Sequence, residues 1–313
     1  MGRRLTGRGR TVICVAKTHL HDGVELEYEV TGPELGEPVL LLHGLSGSRE
    51  TWDQVVDQLE QQNRVYTVDQ RGHGGSSRAP DAYRVEHYGA DVVDFIEVVI
   101  GQPTAVVGHS LGGLVAAYVA GERSDLVRGA FLEDPPLYMG DQATYEATIF
   151  ATIFPLAQQA LRDVRDRQAP LEEVEAMLAA VPAMNGEGTV ADVLGPDRAR
   201  RMALGWWRVD PEAFSPAMDC SLFDAFDVDR PIETPVRLVR AERDLGAAFF
   251  AEHEDPFVAT HPDASVALVA GASHGIHDDH FPEFMTDLER FLSGLPRVAP
   301  RVSPPEGVNT RRA

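Results

Sequence analysis

Residues 104–113 read Thr-Ala-Val-Val-Gly-His-Ser-Leu-Gly-Gly. The first four, 104–107, carry no charge and are apolar at almost every position, the pattern of a short strand buried on both faces. Residues 111–120 read as a helix. Between them stands Gly108-His-Ser-Leu-Gly112, a G-x-S-x-G spacing that turns a strand sharply into a helix and leaves the serine at the tip. Gly108 and Gly112 lack the Cβ atoms that would keep the two backbones apart. The helix aims its first amides at the serine oxygen and at any negative oxygen that develops beside it. Ser110 is therefore the candidate nucleophile, and the Leu111 amide is one candidate oxyanion donor.

Outward from this turn, strand and helix signals alternate. Residues 24–31, 39–42, 64–68 and 127–132 read as strands, and 50–60 and 85–99 as helices. This rhythm implies a mostly parallel sheet with helices on both faces, an α/β fold. It stops at Pro135. From 135 to 230 the text is helical and loop-like, which predicts a helical cap inserted after the sixth strand. Strand signals resume at 236–239 and 265–269, and a last helix is expected over 282–292. The expected organisation is a core of residues 11–134 and 231–295, a cap of 135–230, a disordered tail of 1–10 and a loose, proline-rich tail of 296–313.

Three further segments can serve the serine. The loop His43-Gly-Leu-Ser-Gly47 follows the strand at 39–42, and its Leu45 amide is the second candidate oxyanion donor. His43 itself is read as a structural group holding that loop. His274, in Gly271-Ala-Ser-His274, follows the last strand, where a general base can reach the serine. His277 and His280 lie close by in His277-Asp-Asp-His280. They are read as a solvated helix start, its aspartates favoured by the helix dipole, rather than as metal ligands. The acid that orients the histidine can stand at Asp134, before Pro135-Pro136, or at Asp244, in Arg240-Ala-Glu-Arg-Asp244. Asp134 is preferred and Asp244 is the alternative.

Taken together, the His43-Gly44 loop, the Asp69-Gln-Arg-Gly-His-Gly-Gly-Ser76 segment, the turn at Ser110 and the Gly271–His274 stretch resemble the α/β-hydrolase superfamily. The resemblance covers almost all of the chain outside the cap and tails. It implies the α/β-hydrolase fold, a Ser–His–acid triad and hydrolysis at a carbonyl carbon. Where many relatives have Gly-His, this chain has Ser273-His274. The segment Leu132-Glu-Asp-Pro-Pro-Leu137 looks like a subgroup whose acid stands at the earlier position.

Composition bounds the ligand. Acidic residues number 49 against 28 basic ones, a net charge of −21. That excess argues against nucleic acid, whose phosphates demand basic patches. The 43% hydrophobic fraction suffices for a large core. Cys14 and Cys220 are the two cysteines and do not make a disulfide framework. The apolar run at 12–16 is too short for a secretory or membrane segment, so a cytoplasmic protein without membrane attachment is expected, as monomer or homodimer. No metal or organic cofactor is implied. The cap residues Leu137, Tyr138, Trp206 and Trp207 are the expected pocket, with Met139, Phe150 and Phe154 also available. They suit a hydrophobic or aromatic ester or lactone. The rival readings are a C–C bond hydrolase, a cofactor-independent oxygenase, and a non-catalytic ligand receptor on the same fold.

Overall fold

The computed structural model describes residues 4–5, 11–12, 14–182 and 188–297. Eight strands make one sheet: β1 (Cys14–His19), β2 (Glu25–Thr31), β3 (Glu37–Leu42), β4 (Asn63–Val68), β5 (Thr104–His109), β6 (Val127–Glu133), β7 (Val236–Arg240) and β8 (Ala264–Leu268). Their order across the sheet is β8-β7-β6-β5-β3-β4-β2-β1. Only the β1–β2 and β2–β4 pairings are antiparallel. From β4 to β8 every pairing is parallel.

The parallel strands are buried because helices cover both faces, and the period-2 geometry of a strand sorts their side chains. Leu40, Leu42, Val106, Ala130, Leu132 and Leu238 face one core, with α2 (Val85–Phe95) and α3 (Leu111–Glu122). Val39, Leu41, Ala105, Val107, Phe131 and Val239 face the other. That second core also takes α1 (Asp53–Leu59), which precedes α2 in the chain. Two of the expected helices are shorter in α form. The one at 50–60 opens with a 3₁₀ turn, Arg49–Trp52. The one at 85–99 ends in a π turn, Ile96–Ile100, which Gly101 closes at φ 67°. A left-handed residue at that place ends a helix without the Cβ penalty.

Between β6 and β7 lie α4 (Gln142–Glu146), α5 (Phe150–Asp166), α6 (Leu171–Ala179), α7 (Val190–Leu194), α8 (Pro196–Arg208) and α9 (Ser215–Met218). They have a small apolar core of their own, with Val164, Ala169, Val174, Leu178 and Ala203. Three more helices follow: α10 (Glu254–Thr260), α11 (Ile276–Asp279) and α12 (Phe281–Gly294). The tails expected at 1–10 and 296–313 fall mostly outside the described residues. Of the first, Arg4 and Leu5 pair antiparallel with Thr11 and Val12. Among the described residues no helix is long and apolar enough to cross a membrane.

The strand order reverses at β3, which has β4 on one side and β5 on the other. The chain leaves the carboxyl ends of β3 and β5 in opposite directions there, which opens a crevice. The loop at 43–47 and the turn at Ser110 both stand at that crevice.

Candidate active site

Ser110 has φ 51° and ψ −116°, a left-handed conformation that a residue with a Cβ rarely adopts. Such strain costs about 1–3 kcal/mol and persists only where the surroundings dictate it. Here the Ser110 N–H donates to the Glu133 carbonyl at 2.9 Å, and the Ser110 carbonyl accepts from Leu114 N–H at 3.0 Å. The turn can be this tight because Gly108 sits against Gly112, where a Cβ would overlap the Gly112 carbonyl. Ser110, Leu111 and Leu45 all line one cavity.

The loop that presents Leu45 is pinned by two buried imidazoles. His43 Nε2 accepts from Gln70 N–H at 3.1 Å, and its Nδ1–H donates to the Gly44 carbonyl at 2.8 Å. His73 does the same one layer away, accepting from Ser46 N–H at 3.2 Å and donating to the Arg71 carbonyl at 2.9 Å. Burial pushes His43 down to about 4. Burial, with His43 as a neighbour, pushes His73 down to about 3. Both rings are therefore neutral near pH 7, as their accepting Nε2 atoms require. Asp69 steadies the adjoining turn, accepting from Arg49 N–H at 2.7 Å and Gly75 N–H at 2.9 Å.

Of the two candidate acids, Asp134 meets the histidine. His274 Nδ1–H donates to Asp134 Oδ2 at 2.6 Å. Asp134 is fully buried, with φ 42°, and accepts three backbone amides as well: Ala248 at 2.7 Å, Ala241 at 3.2 Å and Phe249 at 3.2 Å. Asp244 is exposed, in the short 3₁₀ turn Arg243–Leu245. Its isolation follows from the turn, which brings backbone amides to Asp134 and leaves the Asp244 side chain on the surface. The His274 ring lies between His109, with ring centroids 4.7 Å apart, and Phe150, at 5.0 Å. His109 also donates from Nε2 to the His274 carbonyl at 3.0 Å.

The expectation of a solvated helix start at 277–280 is corrected. His277 is 3% exposed. Its N–H and Nδ1–H donate to the buried Glu133 carboxylate at 2.7 and 2.8 Å. Burial opposes a charged imidazole, but the Glu133 and Asp278 carboxylates push His277 up to about 9. The charge is thus compensated within the fold. The adjacent residues Glu133 and Asp134 therefore hold two different histidines, His277 in α11 and His274 in the loop before it. The sequence signal was present, in two consecutive acids ending a buried strand and two histidines three apart. Among the described residues no group of three metal-binding side chains converges.

The pocket expectation is also corrected. The cavity at Ser110 is lined by Met139, Phe150 and Phe154 from the expected set, and by Tyr88, Tyr145 and Phe223 among others. Leu137, Tyr138, Trp206 and Trp207 are not part of it. The turns Leu137 N–H to Pro135 carbonyl and Met139 N–H to Pro136 carbonyl send Pro136 and Met139 towards the cavity and turn the two residues between them away. Leu137 is buried in the core, and Tyr138 stacks on His253 at 4.3 Å. Trp206 packs on the small core of the helical segment, and Trp207 Nε1–H donates to the Ala169 carbonyl at 3.0 Å. Both tryptophans border a separate groove with Arg78 and Arg165.

Comparison with known proteins adds relatives of several activities. A non-heme chloroperoxidase of Burkholderia pyrrocinia is 33% identical over 150 residues, 46% of this chain and 54% of that protein. The chain thus spans about half the length of that relative. An sn-1-specific diacylglycerol lipase of Xenopus laevis is 26% identical over 282 residues, 88% of this chain and 86% of the lipase. The solved enol-lactonase from Burkholderia xenovorans LB400 has the same fold, with a TM-score of 0.65 at 20% identity, over 89% of this chain and all of that one. Residues 37–200, over half of the sequence, match the family model described as alpha/beta hydrolase fold. That match and the shared fold agree with the resemblance read from the motifs, and the chain belongs to the alpha/beta hydrolase family.

Proposed function

We propose that this hydrolase cleaves a carboxylic ester or lactone through an acyl-enzyme on Ser110. Ser110 Oγ attacks the carbonyl carbon, and His274 Nε2 takes its proton. The negative oxygen that forms is held by the Leu45 and Leu111 amides. His274 returns the proton to the departing alcohol oxygen, and water then releases the acid by the same steps. Asp134 orients the imidazole and stabilises its cation. The helices between β6 and β7 act as the cap over the cavity.

The observation that carries this reading is the fully buried Asp134 carboxylate 2.6 Å from His274 Nδ1, together with the strained turn that holds Ser110 at φ 51°. A carboxylate in that place fixes the tautomer that leaves Nε2 free to accept a proton. The almost wholly apolar lining of the cavity supports a hydrophobic substrate. The lipase relative, aligned over 88% of this chain, supports an ester. Labelling with a fluorophosphonate probe tests the reading. The wild-type protein is expected to label stoichiometrically and Ser110→Ala not at all. Equal labelling of the two, or undiminished p-nitrophenyl ester hydrolysis by Ser110→Ala, would remove Ser110 from the chemistry.

A further inference from the structure

The cavity at Ser110 is lined by fourteen residues, of which only Ser110, Tyr88 and Tyr145 carry a side-chain oxygen, and none is charged. Ser110 is the proposed nucleophile. Tyr145 Oη donates to the Phe150 carbonyl at 3.4 Å. The Tyr88 hydroxyl has no hydrogen-bond partner, although the residue is 1% exposed. A buried hydroxyl left unpaired is costly, and folded proteins seldom keep one without use. Burial holds this phenol well above its ordinary range, so it stays protonated and can donate.

A smaller void borders the same ring, with Gln70, Asp91, Val92 and Phe95 around it. Gln70 Oε1 is unpartnered there as well. Asp91, Val92 and Phe95 of α2 line that void, Ala213 and Ala217 of the helical segment line the cavity at Ser110, and Tyr88 borders both.

We propose that Tyr88 is a specificity-determining residue, its hydroxyl pairing with a neutral oxygen group that an otherwise apolar ester or lactone carries away from the scissile carbonyl. A keto, ether or hydroxyl oxygen fits this description. A carboxylate does not, because no cation lines the cavity to offset its desolvation. The inference rests on Ser110 being the reacting residue of this cavity.

The test uses matched pairs of p-nitrophenyl esters: pentanoate with 4-oxopentanoate, hexanoate with 5-oxohexanoate, heptanoate with 6-oxoheptanoate. For each pair the ratio of kcat/KM, oxo over hydrocarbon, is measured in the wild-type protein and in Tyr88→Phe. In at least one pair the ratio is expected to fall about tenfold in the variant, the worth of one hydrogen bond in a dry site. Calorimetric binding of the same esters to Ser110→Ala and to Ser110→Ala with Tyr88→Phe reads the same preference without turnover. A failure of the Ser110 chemistry would therefore not hide it. If all three ratios stay within twofold, in turnover and in binding, the proposal is overturned. A lowered Tm with unchanged ratios would assign the hydroxyl to the small void beside Gln70 instead.

Discussion

Replacing Asp134 by asparagine tests the centre of the proposed site, because the substitution keeps shape and removes charge. The four donors around the carboxylate are divided evenly. Oδ1 faces the amides of Ala241 and Phe249, and Oδ2 faces Ala248 N–H and His274 Nδ1–H. An amide side chain has one oxygen and one NH₂ group, so either orientation sets two donors against a donor. Those on Oδ2 are closer, at 2.7 and 2.6 Å against 3.2 Å for both on Oδ1, so the amide oxygen is expected to stay with His274. The tautomer then survives, but the charge that stabilises the imidazolium is gone. At about 4 Å and an effective dielectric near 20 that charge is worth about 4 kcal/mol, or roughly a thousandfold in kcat. If the amide turns the other way, the wrong tautomer is favoured and the loss approaches about 10⁴. Stability falls too, by about 3 kcal/mol for two lost bonds to a charged acceptor. The assay is p-nitrophenyl ester hydrolysis, with the folded fraction fixed by circular dichroism below Tm. Asp244→Asn, on the exposed turn, is the comparison and is expected to stay within twofold. An Asp134→Asn protein that is folded and keeps more than about a tenth of wild-type kcat would refute the assignment, as would a comparable loss in Asp244→Asn.

Two other outcomes follow from the packing around the site. The His277 imidazole is pushed up to about 9 from an ordinary 6.5, so its contribution to stability is complete below pH 6.5 and is lost as pH rises through 9. Thermal unfolding should show the wild-type protein losing on the order of 3 kcal/mol across that window, and His277→Gln should flatten the slope. An unchanged slope in the variant would show that other groups set it. At Gly44 an added Cβ would lie 2.7 Å from His109 Nδ1 and 3.1 Å from Ser110 Cβ, so Gly44→Ala must displace the loop that presents Leu45. A loss of about 10² in kcat is expected, the usual cost of one misplaced oxyanion donor. Retention of half the wild-type kcat would mean that the Leu45 amide is not used.

The centre of the sheet was legible because the stretches 39–42 and 104–107 are short uncharged runs, each preceded by proline. Residues 39–42 and 104–107 needed only extension by two residues to become β3 and β5. The turn at Ser110 was legible because its chemistry is local, with glycines at fixed offsets from the serine. The acid was not, since the choice between Asp134 and Asp244 depends on which one receives three amides from a distant turn, and no spacing records that. His277 was misread for a related reason. A His-Asp-Asp stretch looks solvated until Glu133 is brought against it from β6, 144 positions away. The pocket failed through geometry finer than composition. Trp206 and Trp207 are apolar because α8 packs on α5 and α6, and the sequence does not say which apolar face meets the cavity.

With Asp134, just after β6, as the proposed acid, the turn after β7 serves it through backbone amides. Ala241, Ala248 and Phe249 each give an N–H to Asp134, and any residue except proline has one to give. The path of residues 241–249 is therefore constrained, and Ala241, Ala247, Ala248 and Phe249 are buried in the cores besides, with Gly246 at φ 87°, so free variation is left to the exposed Arg243 and Asp244. For anyone reshaping this protein, those two exposed positions are the place to vary composition at constant length. A single inserted residue there would shift the amides out of register and release the acid.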